Sequence, residues 1–405
     1  MKIGEGIMSK RNNLFIFILT LGVFGILNTE MGVVGILPLL AEHFHVSVST
    51  AGLLVSFFAL AVAISGPILP LLFSGINRKK VLLLVLGVFV LGNIVSIFAP
   101  NFTIALIARV IPAFLHPVYI SIALTAAASS VSQEQAPKAV SKVILGVSAG
   151  MVIGVPITTF IANATSVENA LIFFAIVNAI AFIATLLFVP SMPVKKRNSY
   201  GAQLSVLKKP ILWLSIFAVI FINAAIFGVY TYLAEYLKTI TKISGETISL
   251  MLVIFGVASL IGNLVGGTLL TKNAIKSVVS YPFALGAIYI LVFLMGKLTA
   301  PMFIIILLWG ILFAVGNNIS QYWIASAVPE APEFANGLFL AFGSLGITIG
   351  SAVGGLFISG MGIQYVLLVG ALFLILSIVF ILMRNTMYSS KKQLSQHSMR
   401  VANNS

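Results

Sequence analysis

Cysteine is absent from this chain, which excludes disulfides, thiol nucleophiles and thiolate metal sites. Aspartate is absent too, and the nine acids are all glutamate. Charged residues fill only 8% of the 405 positions, where a soluble domain carries roughly 25%. A water-facing surface cannot be assembled from so few charges. An enzyme would need a clustered nucleophile, a set of metal ligands or a pair of carboxylates. The chain has no such constellation, so we expect no catalytic activity, no cofactor and no metal.

What is present is hydrophobic: 60% of all residues, with a mean hydropathy of +1.14. A helix crossing the bilayer needs about 20 apolar residues. Twelve runs meet that length, at 14–40, 50–74, 79–99, 102–128, 138–163, 168–190, 211–237, 245–270, 277–296, 301–327, 334–360 and 362–384. Turn chemistry separates them, as at Ala99-Pro100-Asn101 and Gly360-Met361-Gly362. Within hydrocarbon every backbone amide must be satisfied inside its own segment, so the runs predict helices. The first run is too long for a cleaved signal peptide, and more spans follow it. The fold class expected is therefore an all-α membrane protein of twelve transmembrane helices.

The net charge of +14 is not a nucleic-acid signature, because of where the bases fall. Of 23 lysines and arginines, 19 lie on one side of these spans, three on the other and one inside. Lys2, Lys10, Arg11, Arg78, Lys79, Lys80, Lys195, Lys196, Arg197, Lys208, Lys209, Lys391 and Lys392 belong to the majority side. By the positive-inside rule both termini are expected in the cytoplasm and the chain in the cytoplasmic (inner) membrane.

The polar, basic stretch 192–210 divides the chain into bundles of six spans, 1–191 and 211–385, followed by a tail at 386–405 expected to be disordered. The halves repeat. Ser148, Gly150, Gly154, Thr158 and Thr159 align with Ser344, Gly346, Gly350, Gly354 and Gly355 at an offset of 196. Leu40-Ala41-Glu42 recurs as Leu233-Ala234-Glu235 at an offset of 193. Repeats of six spans with a solute held between them near mid-membrane are a transporter architecture.

Glu30 is the one acid well inside a span; the others lie at span ends, in loops or in the N-terminal segment. Charge facing lipid is costly, so its side chain should point into the bundle and have a partner or a proton. Arg109 is the base deep in a span. Glu30 lies about 15 Å, and Arg109 about 10 Å, below the outer ends of their helices. An ion pair is feasible if those helices are neighbours, worth about 4 kcal/mol before desolvation. Burial opposes ionisation of Glu30 and the guanidinium favours it, the balance a proton carrier needs. His116 follows Arg109 by two helical turns and so shares its face. It could relay a proton or bond the solute; a structural bond to a backbone carbonyl is the plainer alternative.

The second half has Asn223 at the position matching Glu30, so any proton chemistry belongs to the first half. Asn28, Asn223, Tyr230, Asn317, Asn318, Gln321 and Tyr322 are candidates to line a solute cavity, with interhelical hydrogen bonding as the alternative role. Gly150, Gly154 and Pro156 in the fifth span allow close helix approach and a kink, for packing or for sliding.

Residues Thr29-Glu30-Met31 through Gly35-Ile36-Leu37-Pro38, Ala108-Arg109-Val110 with His116, and Gly150 through Gly154-Val155-Pro156 carry a resemblance. Together, over residues 14–385, they resemble the major facilitator superfamily. The likeness is to its twelve-span drug:proton antiporter group of arabinose-, purine- and chloramphenicol-efflux permeases. The resemblance implies two pseudo-symmetric six-helix bundles and alternating access. It also implies proton-coupled export of a small drug, sugar, nucleobase or nucleoside. Arg109 takes the place of the arginine associated with proton coupling, and the fifth-span motif is the one that speaks for export. A monomer is implied. An uncoupled facilitator or importer competes, as does a non-transporting receptor. One departure matters. The loop after the second span usually carries an acid, and here the matching positions are Pro70, Ser74, Gly75, Asn77, Arg78 and Lys79. Its basic end, Arg78 and Lys79, survives without the acid of its usual conformational latch.

Overall fold

The computed structural model describes residues 2–132, 135–194, 203–329 and 332–403, almost all of them helical. Among the described residues eleven helices are long and apolar enough to cross a membrane. The first six are Asn12–His43, Val48–Ser65, Arg78–Ile97, Phe102–Ser129, Lys138–Ala164 and Val167–Phe188. Pro210–Thr241, Gly245–Met295, Thr299–Ala325, Phe334–Met361 and Ile363–Met387 follow.

Gly245–Met295 contains 51 residues, and a straight helix of that size would measure about 76 Å. That is more than twice the roughly 30 Å of hydrocarbon. It is not straight. Asn273 leaves helical geometry, at φ −158° and ψ 91°. Just beyond it Ser277 Oγ donates to the Leu269 carbonyl at 2.9 Å. Residues eight apart on a straight helix are about 12 Å apart along the axis, so the chain doubles back at Asn273. Its Oδ1 then caps the returning helix by accepting from Lys276 N at 3.0 Å. The long helix is thus the eighth and ninth spans, and the total is twelve.

Local sequence explains the starts and interruptions. Asn101, Ser166 and Ser244 each cap the helix that follows, accepting from Ile104 N, Asn169 N and Thr247 N. The second span breaks at residues 66–68 around Pro67 before a short turn at Leu69–Phe73. The fourth breaks at Phe114 and Leu115, between Pro112 and Pro117, and restarts at His116. In the fifth span Gly150–Gly154 is a π-helical turn, two residues before Pro156. A proline cannot donate to the carbonyl four residues back, and a wider turn absorbs that missing bond.

Two apolar cores form, and they do not coincide with the two halves. One takes in Phe15–Leu27 of the first span, Val81–Phe89 of the third and Ala113–Ala127 of the fourth. The other runs from Met31–Ala41 of the first span and Val167–Phe174 of the sixth through the whole second half. The halves are therefore packed into one body at the end opposite the termini, and the first half keeps a core of its own at the terminal end. Bonds across the joint agree. Ser49 Oγ donates to the Gly355 carbonyl at 2.6 Å, Ser56 and Ser351 hydroxyls pair at 2.7 Å, and Lys238 is ion-paired with Glu42.

The last helix continues to Asn403, past 385, where a disordered tail was expected. Residues 386–403 contain neither proline nor glycine, so nothing in the backbone stops the helix. Lys195, Lys196 and Arg197 of the basic stretch lie outside the described residues.

Candidate functional site

Asn28, Thr29 and Glu30 occupy the level of the first span where the two cores divide, and all three are buried. Polar groups here cannot reach water, so their partners must come from other helices. Thr29 is the hub. Its Oγ1 donates to the Gly25 carbonyl at 3.0 Å and accepts from Asn93 Nδ2 at 3.2 Å and Asn178 Nδ2 at 2.9 Å. Asn178 is also within bonding distance of the Gly25 carbonyl, 3.1 Å, and of the Phe174 carbonyl in its own helix, 2.9 Å.

Arg109 Nη2 donates to the Thr29 carbonyl at 3.0 Å and makes a longer contact, 3.4 Å, to the Glu30 carbonyl. The first and fourth spans are thus neighbours, as the depth argument requires. The carboxylate–guanidinium ion pair, however, is not formed among the described residues. Side chains on a helix lean toward its N-terminus whereas its carbonyls point toward the C-terminus. A guanidinium seated on these carbonyls is therefore offset along the axis from the carboxyl of Glu30.

What faces that carboxyl is His116. Its Nδ1 lies 3.8 Å from Glu30 Oε2. Glu30 Oε2 and both ring nitrogens of His116 are buried without a hydrogen-bond partner. His116 does not stand two turns along an unbroken helix from Arg109; it opens a new segment after the Phe114–Leu115 break, which swings the imidazole toward Glu30. The plainer reading, a ring bonded to a backbone carbonyl, is not what the structure has. Phe58 of the second span walls the site, its ring centre 5.5 Å from the Arg109 guanidinium carbon and 6.3 Å from the His116 ring. Thr158 of the fifth span donates to Asn28 Oδ1 at 3.3 Å, leaving Asn28 Nδ2 unpartnered. Each of the first six spans contributes a group. Such an arrangement can hold a proton at Glu30 or release it without dismantling the bonds that position Arg109 and Thr29, since those run to main chain and amides.

The glycines beside this site serve close approach. A Cβ on Gly154 would lie 2.3 Å from Asn28 Oδ1, and one on Gly150 2.7 Å from Leu27 Cβ. In the second half the matching contact is backbone to backbone: a Cβ on Gly350 would lie 2.3 Å from the Ala224 carbonyl oxygen.

The other candidates are dispersed. Asn223 donates to the Val219 carbonyl at 2.9 Å and Ser320 Oγ at 3.3 Å. Tyr230 is buried in an aromatic cluster, stacked on Phe255 at 4.9 Å and tilted against Phe313 at 5.0 Å. Asn318 ties the tenth span to the eighth through the Asn263 carbonyl, and Gln321 meets Asn336 of the eleventh. Asn317 is half-buried and Tyr322 exposed. Arg78 donates to Ser129 Oγ and Lys79 to the Leu186 carbonyl, each at 2.9 Å, in place of any loop acid. Sequence reasoning missed Asn93, Asn178, Thr158 and Phe58. The two asparagines left a signal, as isolated amides within apolar runs, which a membrane helix retains only when they are bonded to a neighbour.

Comparison with known proteins now decides the class. The family model described as Major Facilitator Superfamily matches residues 19–331 and 216–400. The chain belongs to the major facilitator superfamily. It is accordingly a multi-pass membrane transporter and not an enzyme. The MFS-type transporter YtbD of Bacillus subtilis (strain 168) is 33% identical over 92% of this chain and 95% of that one. A protein named "Probable sugar efflux transporter" in Helicobacter pylori (strain P12) is 27% identical over 88% of this chain and 91% of its own length. Among solved structures, a bacterial homolog of the human lysosomal transporter Spinster, inward-facing and occupied, superposes with a TM-score of 0.75. It is 15% identical and the match covers 92% of this chain and 96% of that one, a likeness of fold.

Proposed function

We propose that this transporter exports a small organic solute in exchange for protons, with Glu30 as the proton-carrying group. The observation that carries the reading is a buried carboxyl with an unpartnered oxygen, facing an equally unpartnered imidazole 3.8 Å away. An acid kept in the membrane interior at this cost is functional by default. It also stands at the level where the packing of the halves changes from joined to separate, where a solute site belongs in this architecture. Arg109 biases the ionisation of Glu30 through its seat on the adjoining carbonyls, and His116 receives or supplies the proton. The chain works as a monomer in the cytoplasmic membrane with both termini inside, a placement supported by the asymmetry of its bases. The halves, joined at the far end, then represent an inward-facing state. Export is further supported by the similarity to the Helicobacter protein named "Probable sugar efflux transporter", and the solute is of the sugar, drug or nucleoside size class. Asn28, with a free amide in the polar band, is the first candidate to touch it.

The test is transport in proteoliposomes under an imposed pH gradient, reading internal pH and solute together. Wild type should move protons against solute, and Glu30→Gln should lose the proton flux. Equal proton flux in the two forms would remove Glu30 as carrier. A solute rate indifferent to collapse of the gradient would mean an uncoupled facilitator.

A further inference from the structure

A cavity of about 670 Å³ opens at the end of the first bundle that carries the termini. Its volume falls in the range of roughly 300–1,000 Å³ found for small-ligand sites. It is two-faced. One wall is polar, with Arg78, Asn12, Ser129 and Ser130; the other includes Leu187 and Phe188, 66% and 60% exposed at the rim. Within the polar wall, Asn12 Nδ2 bonds the Ser130 carbonyl at 2.9 Å and Arg78 Nη1 bonds Ser129 Oγ at 2.9 Å. These bonds use one amide donor and one guanidinium donor, and Arg78 has five to give.

Among the described residues no carboxylate pairs with Arg78. The loop position where the resembled family carries an acid is Ser74 here. The helix that follows begins Arg78-Lys79-Lys80 with no acid in its first turn, so three cations crowd the end of a helix that already carries positive partial charge. An anion in the cavity would relieve that crowding. The neighbouring segment in sequence, Lys195-Lys196-Arg197, has the same sign and is no match for it.

We propose that this cavity binds an anionic phospholipid, its headgroup phosphate on the remaining donors of Arg78 and Asn12 and an acyl chain along Leu187 and Phe188. The Ser129 and Ser130 hydroxyls donate to the Thr125 and Ala127 carbonyls, which leaves a base at the membrane interface, an amide beside it and an apolar flank as the complement of such a lipid. A free phosphate ester would satisfy the polar wall and leave the apolar one without a partner. The site is separate from the proton site and does not depend on the transport reading.

Native mass spectrometry of the purified full chain tests it, with phosphatidylglycerol or phosphatidylcholine titrated in. Wild type should retain phosphatidylglycerol in preference to phosphatidylcholine. Arg78→Gln should bind it about fivefold more weakly, the electrostatic contribution of one base at an anionic surface. Arg78→Lys should recover most of that loss, which a merely misfolded variant would not. Ser129→Ala provides a second, milder probe of the same wall. Equal retention of the two lipids, or unchanged phosphatidylglycerol binding in both Arg78→Gln and Ser129→Ala, would overturn the proposal. Displacement of the lipid by equimolar glycerol phosphate would overturn it too, by assigning the cavity to soluble phosphate esters.

Discussion

The two six-span halves share a scaffold and differ in what they bury. At the heart of the first, Asn93, Arg109 and Asn178 are bonded to Thr29 across four spans, and Glu30 faces His116 beside them. At the matching place in the second, Asn223 makes two bonds, and seven residues further along its helix Tyr230 joins a chain of ring contacts with Phe255, Phe313, Trp309 and Tyr289. Repetition of the frame has left the titratable chemistry in one copy and rigid aromatic packing in the other. A polar network tolerates a change of protonation because its members have several partners, whereas a ring cluster has only shape to offer. The difference teaches that the pseudo-symmetry governs how the helices sit, not what the site does.

Transplanting the acid is the strongest way to break this comparison. Asn223→Glu would bury a carboxyl among Val219, Ser320 and apolar neighbours with no base to answer it. We expect a loss of roughly 3–5 kcal/mol, the penalty of an unanswered buried charge, read as a fall in melting temperature or yield. A variant as stable as wild type would mean that the second half accommodates acid as well as the first. Next in size is Arg109→Met, which takes a charged donor from the Thr29 and Glu30 carbonyls. A cost of about 1–3 kcal/mol follows, together with a changed pH profile of transport if the guanidinium governs Glu30. Loss of stability with an unchanged profile would reduce Arg109 to a strut.

The smallest effect concerns the joint between the halves. The ion pair of Glu42 with Lys238 is solvent-exposed, so Glu42→Gln should cost no more than about 1 kcal/mol yet favour parting of the halves at that end. The chain has no cysteine of its own, so a single Ser56→Cys reporter, buried at the joint, can be read with an impermeant maleimide. Labelling should rise in the Glu42→Gln background. An unchanged labelling rate would show that the pair does not hold the joint.

Much of this fold was legible before any coordinates. A run of about 20 apolar residues has few alternatives to a helix in hydrocarbon, and Glu30 and Arg109 stood out because charge is so scarce there. The similar depth of Glu30 and Arg109 followed from helical rise, while the neighbourhood of their spans was only a condition. What the guanidinium binds did not follow, because depth says nothing of the azimuth and tilt that bring it to carbonyls and leave the carboxyl to His116. Tyr230, Asn318 and Gln321 were candidates by spacing, and spacing could not tell a cavity wall from an aromatic cluster or an interhelical bond.

The linear chain by itself decided the number of spans, their two-fold repeat and the side on which the bases gather, since each follows from local hydropathy and charge. Tertiary structure alone decided which buried groups meet. The hub at Thr29, the Glu30–His116 approach and the division of the apolar core at that level all depend on helices far apart in sequence. Their contacts are set by close packing of the whole bundle, and no local pattern encodes that.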